Sequence, residues 1–599
     1  PRGARGVGWS RAARRAGGAL AAVLTALVCG AAPGYADPPD AVTGPRGATL
    51  VATGEAHSCT ITTLGAVYCW GDNAHGQLGD GNRPVDRGTA GPVRTTGALA
   101  DKDIVQLDAG GAHTCAVDVQ GAVYCWGDNS HGQLGTGSAD AGTDEPVEVG
   151  GLLVGKAAVK VVAGAQHTCA LIDTGEVFCW GDDTDGQLGD DAALTPVAEP
   201  VPVRTAAPSS LAGRTVVDLT AHRRNTCAVD HGGAAHCWGA DQSGQLGDGG
   251  AATDSPVPVA VDASGALAGR TLVQIDAGAA FVCAVATTGA AYCWGDNSSG
   301  ALGNADPGTD RTVPVAVRTA GALDGRTLVQ VEAGEQHACA LDRTGAAYCW
   351  GDNGDGQLGN GAAPTDVGEP AAVAAPVALG AAPAIDIDTT ARHTCAVNAL
   401  AVVYCWGYNA NGQLGDGTVS ASDTPVPVVG LPTLPGSPTG VRADPRPAAL
   451  RVSWRAPDDF GSGTLQAYVT LALPAELLPV ESVSEPSRLR ALVQAARSRA
   501  TAAASPPSDP SFGFCVTRAA TACTVSGLTA GRRYLVLVLA VTTDGISPPS
   551  EPVYAVPASA VLPVTGAGVT GLLAAGLALV GLGAVLLRLR RRRAVVWAP

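Results

Sequence analysis

The chain has 599 residues, too many for one ordinary globular core, so its length predicts several domains or a repeat array. Acidic residues outnumber basic residues by 54 to 38, and ten of the basic residues are arginines in two terminal segments. The rest of the chain has 28 basic and 54 acidic residues, a formal net charge of −26. Such a surface repels phosphate backbones, so nucleic acid is excluded as an expected partner.

The N-terminal segment has the pattern of a secretory signal peptide. Five arginines precede an apolar run over residues 16–32, and small residues then occupy the −3 and −1 positions of a cleavage site that ends at Ala36. We expect residues 1–36 to be removed by cleavage between Ala36 and Asp37. A membrane-spanning helix is the alternative, but the run is short, contains two adjacent glycines and ends at Pro33.

One phrase returns seven times in the N-terminal two thirds of the chain. Its first copy reads GEAHSCTITTLGAVYCWGDNAHGQLGDG, and the first cysteines of successive copies lie 54 to 58 residues apart. In the second copy, residues 115–118 and 122–126 are rich in strand formers and flank a turn at Gln120-Gly121, which predicts a β-hairpin. Further strand-like runs, such as residues 256–259 and 271–275, give each repeat about four predicted strands. A lone four-stranded unit cannot bury both faces, so seven units predict a ring of sheets.

The consensus GxxHTCAVxxxGxxYCWGxNxxGQLGDG resembles the repeat of the regulator of chromosome condensation family, whose members form seven-bladed β-propellers. The resemblance implies a seven-repeat propeller, which we place at residues 37–433. We expect the ring to close when a strand near residues 50–53 shares one blade with the last Pro-Val strand, residues 425–428.

Fourteen cysteines form pairs ten residues apart, and each pair brackets one predicted hairpin turn. Opposed hairpin positions place both side chains on one face, within the Cα separation that a disulfide requires. The predicted disulfides are Cys59–Cys69, Cys115–Cys125, Cys169–Cys179, Cys227–Cys237, Cys283–Cys293, Cys339–Cys349 and Cys395–Cys405. Export to an oxidising compartment would preserve them.

Metal binding is the alternative interpretation of these cysteines, because a histidine lies two residues before the first cysteine in five copies. The pattern lacks the CxxC pairs of structural zinc sites, and Asn225 and Phe281 replace the histidine in two copies. The loops at residues 182–186 and 352–356 resemble calcium loops, but both lack the closing glutamate of an EF-hand. We therefore expect no metal and no cofactor.

A second module follows a Pro-rich joint at residues 431–438 that cannot continue a sheet. Strand patterns occur at residues 450–454, 466–471, 525–528 and 533–541. Together with Trp454, Tyr468, the Leu528 and Tyr534 pair and a Gly-x-Ser-x-Pro-Ser ending, they resemble a fibronectin type III sandwich.

The resemblance implies a sandwich over residues 434–556, with an insertion at residues 474–510 whose part from 487 to 504 could be a short helix. Cys515 and Cys523 are expected to bridge a hairpin in this module. The predicted fold is therefore all-β: a seven-bladed propeller and then a sandwich, between a signal peptide and a C-terminal hydrophobic anchor helix.

The C-terminal region resembles the sortase cell-wall sorting signal of Gram-positive bacteria. The motif residues Leu562, Pro563, Thr565 and Gly566 close a segment at residues 557–566, before an uncharged stretch at 567–587 and an arginine-rich tail at 588–599. The resemblance implies a transmembrane segment, a basic cytoplasmic tail, cleavage after Thr565 and an amide link from Thr565 to peptidoglycan. A plain membrane anchor is the alternative.

These patterns predict a binding or adhesion protein at the cell surface, linked to the wall, that meets an unknown protein or glycan at a propeller rim. No nucleophile elbow, phosphate-binding loop or zinc-protease motif occurs in the sequence, so we do not expect an enzyme. An enzyme inhibitor is the alternative, because the secreted propeller-type β-lactamase inhibitory protein resembles the same repeat family. Guanine-nucleotide exchange and wall hydrolysis are less favoured, and we expect the sandwich to be a spacer.

Overall fold

The computed structural model describes residues 51–559, except 63–64, 193, 363, 375–381, 400, 433–434, 461–462, 476–512, 543–546 and 548–549. The predicted signal peptide, the possible helix at residues 487–504 and the sorting signal lie outside the described residues. Among the residues that are described, no helix has the length and apolar character needed to cross a bilayer.

The repeats fold into seven four-stranded antiparallel sheets, each made of four strands that are consecutive in the chain. The strands are β1–β4 (Val51–Thr53, His57–Ile61, Val67–Gly71, Arg87–Pro92), β5–β8 (Ile104–Ala109, His113–Asp118, Val123–Asn129, Asp140–Glu148), β9–β12 (Ala158–Ala163, His167–Ile172, Val177–Gly181, Val197–Pro202), β13–β16 (Val216–His222, Asn225–Asp230, Ala235–Gly239, Ser255–Ala260), β17–β20 (Leu272–Ala277, Phe281–Ala286, Ala291–Gly295, Arg311–Ala316), β21–β24 (Leu328–Ala333, His337–Asp342, Ala347–Gly351, Val367–Ala372) and β25–β28 (Ala384–Thr389, His393–Asn398, Val403–Gly407, Ser422–Pro427). A short 3-10 helix, Gly151–Leu153, follows β8.

The first strand of each sheet packs against the first strand of the next, so the seven sheets form the blades of a ring. β1 packs against β25 and β26, which closes the ring. The predicted shared blade is wrong, because β1 pairs with β2 of its own repeat and β28 pairs with β27. Pairing within a repeat needs only short connections, and the first and last blades are joined instead by individual hydrogen bonds: the backbone N–H of Val51 donates to Asp386 Oδ2 at 3.1 Å, and the backbone N–H of Ala90 donates to the carbonyl of Val429 at 2.8 Å.

The cysteines of each blade lie directly opposite each other in the hairpin formed by its second and third strands. Cys59 pairs with Cys69 in the register of β2 and β3, and the corresponding cysteines are paired in the other six blades. The structure joins the two sulfur atoms in all seven hairpins. Disulfide bonds therefore lie within blades, where both sulfurs are fully buried.

Each seam between neighbouring blades is held by one loop carbonyl, which accepts a tryptophan N–H at all seven seams and also a threonine or serine hydroxyl at five of them. The carbonyl of Gln77 in the first blade accepts from Trp126 Nε1 and from Thr114 Oγ1 of the second blade, both at 2.9 Å. His57 Nε2 lies 2.9 Å from the same threonine hydroxyl. Gly79 approaches Trp126 so closely that a Cβ would lie 2.7 Å from Nε1, which explains the glycine of the GQLG phrase.

The tryptophan bond recurs at every seam, including the one that closes the ring. The indole donors are Trp70, Trp126, Trp180, Trp238, Trp294, Trp350 and Trp406, and the matching carbonyls belong to Gln413, Gln77, Gln133, Gln187, Gln245, Ala301 and Gln357. All seven indoles are fully buried. A buried indole N–H needs an acceptor, so this carbonyl also fixes the position of the loop that carries it.

The second module is a two-sheet sandwich. One sheet orders β29 (Thr439–Arg446), β30 (Ala449–Arg455) and β33 (Ala522–Ser526), and the other orders β32 (Gly513–Thr517), β31 (Leu465–Pro474), β34 (Tyr534–Thr542) and β35 (Val553–Ala555). Trp454 packs edge-on against Tyr468 between the sheets, with ring centroids 5.4 Å apart. Ser550 Oγ accepts from the backbone N–H of Val538 at 3.1 Å, which ties the end of the module to β34.

Cys515 and Cys523 are joined by a disulfide, but they do not bridge a hairpin within one sheet as expected. Cys515 lies on β32 of the four-stranded sheet and Cys523 lies on β33 of the three-stranded sheet. Short sequence separation indicated a hairpin, whereas the sandwich topology sends consecutive strands to opposite sheets. The bond therefore links the two layers.

Replacing both Cys283 and Cys293 by alanine should lower the free energy of unfolding of the propeller by about 2–3 kcal/mol, because an unfolded chain without the ~11-residue loop has more freedom. Urea denaturation followed by circular dichroism measures the change. The same double replacement at Cys515 and Cys523 is the control, since it alters the sandwich and should leave the propeller transition in place. An unchanged propeller midpoint would contradict a stabilising role for the blade disulfides.

Candidate functional site: the acidic loop face

The loops between the third and fourth strands all begin at one end of the propeller, which we call the loop face. The register sets this end, because the first residue of β2, His57, pairs with the last residue of β3, Gly71. The loops comprise residues 72–86, 130–139, 182–196, 240–254, 296–310, 352–366 and 408–421. The turns between first and second strands lie at the same end.

Each loop is held by its own polar side chains. In the first blade, Gln77 Nε2 donates to Asp72 Oδ2 at 2.6 Å, and the backbone N–H of Leu78 donates to Asn73 Oδ1 at 3.1 Å. The pattern recurs in the third blade, where the backbone N–H of Leu188 donates to Asp183 Oδ1 at 2.9 Å. The tryptophan of the next blade also donates a hydrogen bond to each loop, so the loop face is pre-organised.

The loop face is strongly acidic. Its seven loops contain 18 acidic residues and one basic residue, Arg83. Five of the acidic side chains form an ion pair with an arginine among the described residues, and the pairs are Arg87–Asp80, Arg204–Asp191, Arg224–Asp185, Arg311–Asp306 and Arg392–Asp355. Most of the negative charge of these loops is therefore not neutralised within the chain, and it would attract a positively charged surface.

Carboxylates also line the axis of the ring, where they complete the hydrogen bonding of the inner strands. Asp276 Oδ2 accepts from the backbone N–H of Ala333 in the next blade at 2.8 Å, and Asp108 Oδ2 accepts from Ala163 at 2.7 Å. The inner strands are sheet edges, and these side chains satisfy edge N–H groups that have no strand partner. The axial acids therefore have a structural role.

The position of these acids strongly perturbs their protonation. Desolvation raises the pKa of Asp276 to about 7, and the nearby carboxylate of Asp388 adds to the rise. The pKa of Asp388 itself is raised to about 6, again by desolvation. Desolvation also raises the pKa of Glu332, which faces Asp276 and Asp388. The axis is therefore one place where protonation changes near neutral pH.

At the loop face, the turns between first and second strands come together around the axis. Successive first-to-second turns are bonded there: the backbone N–H of Glu55 donates to the carbonyl of Gly110 at 3.3 Å, and that of Gly111 donates to Gly164 at 3.2 Å. The space enclosed at this mouth is about 10 Å³, the size of a single water. A macromolecular partner at this end would therefore meet the loops and these turns.

The residues predicted to carry function fall into two groups. The blade cysteines are bonded in pairs, while Ala36, Asp37, Leu562, Pro563, Thr565 and Gly566 lie outside the described residues. The blade histidines are buried, and desolvation lowers the pKa of His57 to about 3 and that of His113 to about 4. No group of three or more His, Cys, Asp or Glu side chains that could hold a metal ion occurs in the described part of the chain.

Sequence reasoning missed the axial carboxylates and the concentration of charge on the loops. A signal for the first was present, because Gln, Asp or Glu recurs in the inner strands at positions such as Gln106 and Asp108. Alternation within a strand shows that such residues share a face, but only the ring shows that this face meets the next edge strand.

Comparison with known proteins agrees with this geometry. Residues 85–442 match the family model described as RCC1-like domain, residues 48–77 match the regulator of chromosome condensation (RCC1) repeat, and residues 436–556 match the fibronectin type III domain. The chain belongs to the RCC1-like domain family. The predicted propeller resemblance, the sandwich resemblance and the all-β fold are thereby confirmed.

Relatives of this RCC1-like protein differ widely in length. The ultraviolet-B receptor UVR8 of Arabidopsis thaliana is 32% identical over 382 residues, which cover 63% of this chain and 81% of the receptor. The human E3 ubiquitin-protein ligase HERC2 is 32% identical over 372 residues, which cover 61% of this chain but 7% of the ligase. This chain therefore matches only a small part of the ligase.

Solved structures support the fold. Yeast RCC1 (Prp20) bound to Kap60 is 19% identical, with a TM-score of 0.54 over 67% of this chain and 89% of that chain. Human WBSCR16 is 22% identical, with a TM-score of 0.50 over 58% of this chain and 85% of that chain. At these identities the likeness concerns the fold alone.

Replacing Asp276 by asparagine should change how stability depends on pH. A raised native pKa means that the folded state holds a proton more tightly than the unfolded state, so this group contributes stability that is lost as pH rises from about 4 to about 7. The stability of the variant relative to the wild type should therefore rise over this window, by about 1.4 kcal/mol per unit of pKa difference, and be constant above it. Urea denaturation at several pH values measures the difference.

Asp262→Asn is the control for this titration, because hydrogen bonds from Ser264 lower the pKa of Asp262. Its relative stability should change with the opposite sign, below the ordinary pKa of an aspartate. A pH-independent difference for Asp276→Asn would contradict the raised pKa.

Proposed function

We propose that this RCC1-like protein is a surface-held interaction scaffold that binds a positively charged partner through its loop face. The observation that supports this most directly is the count of 18 acidic residues against one basic residue on the seven loops. The loops are fixed by internal hydrogen bonds and by the neighbouring blade, so binding would cost little loop ordering. We assign no catalytic step to the chain.

The location that we propose is outside the cytoplasm. Sixteen cysteines are paired in disulfides, which persist in oxidising compartments. A signal-peptide pattern at residues 1–36 supports export. A sorting motif at residues 562–566 supports covalent linkage of Thr565 to peptidoglycan. Before this linkage, the segment at 567–587 would hold the chain in the membrane. The sandwich then acts as a spacer between wall and propeller, and the exposed partner is a protein or glycan in an adhesive contact.

Proteins of the same fold support a role in binding other proteins. One solved structure shows yeast RCC1 bound to Kap60, and another concerns Prp20p of Saccharomyces cerevisiae and its binding properties to Gsp1p and histones. These partners belong to those proteins. For this chain the support is general: a propeller end can serve as a docking surface, and the loops decide what it binds.

Removing loop charge should weaken binding of a basic partner. The test is the triple variant Asp190→Asn, Asp248→Asn, Asp416→Asn. The equivalent positions of two other blades are already asparagine, Asn304 and Asn360, so the variant should keep the fold. Each exposed charge pair contributes about 0.2–1 kcal/mol, so affinity should fall by roughly 3- to 100-fold. Surface plasmon resonance against purified extracellular proteins of high and low isoelectric point, in low and high salt, measures this.

The matched control for this experiment changes the same number of charges at the other end of the blades. Asp101→Asn, Asp262→Asn and Asp324→Asn all lie in connections between blades. This variant should bind basic proteins like the wild type. If the loop variant bound basic proteins as tightly as the wild type, or if the wild type preferred acidic proteins, the proposal for the loop face would be wrong.

The proposed wall linkage has its own test. Thr565→Ala removes the residue whose carboxyl would be joined to peptidoglycan, so the protein should leave the wall fraction and appear in the membrane fraction or the medium of a Gram-positive host. Fractionation before and after muralytic digestion, followed by immunoblotting, measures the distribution. Val564→Ala is the control, because this position is variable in the motif, and unchanged wall retention of Thr565→Ala would point to a plain membrane anchor.

A further inference from the structure

A groove lies between the second and third blades, at the end opposite the loop face. Its walls come from the turn between β6 and β7, including Val119, and from the connection that leads from β8 to β9, including Leu153 and Val154. Its volume is about 660 Å³, within the range of about 300–1,000 Å³ in which proteins bind ligands. It is open to solvent along one side and lined mainly by aliphatic side chains.

Large apolar side chains are exposed at and beside this groove. Val154 is 73% exposed, Leu152 is 55% exposed and Val119 is 49% exposed. Exposed apolar side chains gain no burial energy from folding, and when they cluster on a surface they commonly mark a binding site. Leu153, between two of them, is buried in the core between the blades and fixes the connection in place.

The repeat shows that the fold does not require these side chains. Positions equivalent to Leu152 hold Ala98, Ser210, Ala266 and Ala322, and positions equivalent to Val154 hold Ala100, Ala212, Ala268 and Asp324. Positions equivalent to Val119 hold Asp173, His231, Thr287, Arg343 and Ala399. The buried leucine between the first two positions is kept in all four of these connections, as Leu99, Leu211, Leu267 and Leu323. This groove therefore has larger apolar side chains at its exposed positions than the other connections, while the buried leucine beneath them is the same.

A charged residue of the groove departs from the repeat in the same way. Glu148 lines the groove, is exposed and pairs with Tyr124 in the strand register. The residues at this register position in the other six blades are Pro92, Pro202, Ala260, Ala316, Ala372 and Pro427. Lys156, also in the groove, is engaged by Glu176 at 3.4 Å and lies 4.8 Å above the ring of Phe178. The carboxylate of Glu148 is thus the charge that the groove offers to a ligand.

We propose that this groove docks an extended segment of a partner protein that presents an aliphatic or aromatic side chain next to a lysine or arginine. The apolar walls take the hydrophobic side chain, and Glu148 pairs with the neighbouring cation. Local peptide recognition of this kind uses an apolar anchor for affinity and a charge for register. A second copy of this chain is disfavoured as occupant, because each copy carries a formal net charge of −16 and the same carboxylate. The site is separate from the loop face, so it can hold a second partner or a second part of the same one.

Selection of a phage-displayed random heptapeptide library on the purified, disulfide-intact protein tests this. We expect the selected peptides to be enriched in a large apolar residue adjacent to Lys or Arg. The strongest peptide, made synthetically with a fluorophore, should bind Leu152→Ala/Val154→Ala at least tenfold more weakly than the wild type in fluorescence anisotropy. These alanines are residues that other connections carry, so the variant should fold, and circular dichroism checks this.

Two further variants locate the binding. Glu148→Ala introduces the residue that three other blades have at this position. It should weaken peptide binding severalfold and reduce the salt dependence of binding. Val419→Ala removes an equally exposed apolar side chain, 67% exposed, on a loop of the seventh blade and should change nothing. The triple loop-face variant should bind the peptide like the wild type, so failure of the groove and failure of the loop face are distinguishable.

Three outcomes would overturn the inference. The first is a set of selected peptides without the paired apolar and basic residues. The second is equal binding of the selected peptide by Leu152→Ala/Val154→Ala and the wild type. The third is a dimer of the wild type in analytical ultracentrifugation that the same double variant abolishes, which would assign the groove to a second copy of this chain.

Discussion

One loop carbonyl per seam is the interaction on which the rest of the propeller depends. The carbonyl of Gln77 receives both the indole N–H and a threonine hydroxyl of the next blade, and the equivalent carbonyl of Gln413 receives Trp70 when the ring closes. Burial of each indole makes the bond obligatory. The bond couples two features that would otherwise be independent: the packing of neighbouring blades and the shape of the loops on the surface. Disulfides then stiffen each hairpin that presents a tryptophan, in a chain with only 4% aromatic residues.

Charge is distributed according to this architecture. Acids on the axis accept N–H groups from inner strands that form the edges of the sheets, and their raised pKa values follow from that position. Some acids on the loops, such as Asp183 and Asp241, are buried within them, whereas others, such as Asp248 and Asp306, lie exposed at the surface. The same residue type therefore has a structural role at the axis and, in the function that we propose, an interaction role at the loop face, whereas the end opposite the loops has an apolar groove. A scaffold with two chemically different ends can hold two partners, or grip one partner in two ways.

The repeat itself gives the most useful internal standard in this protein. Positions that are the same in all blades serve the seam, the hairpin or the core, as the seven tryptophans show. Positions that differ without a structural reason indicate where one blade has acquired its own chemistry. Leu152, Val154 and Glu148 stand out by this criterion, although none of them forms part of a motif.

The sequence alone determined the number of blades, the pairing of cysteines across each hairpin and the sandwich that follows, because these depend on local periodicity and on contacts within about 60 residues. It did not determine how the ring closes: the predicted shared blade was wrong, because strand pairing of the first repeat is equally compatible with a local partner or a distant one. It placed Cys515 and Cys523 on one hairpin, whereas the sandwich puts them on opposite sheets. The roles of Asp276, of the loop acids and of the groove beside Val154 were decided only by the tertiary structure, because each arises from residues of neighbouring blades that come together when the ring forms.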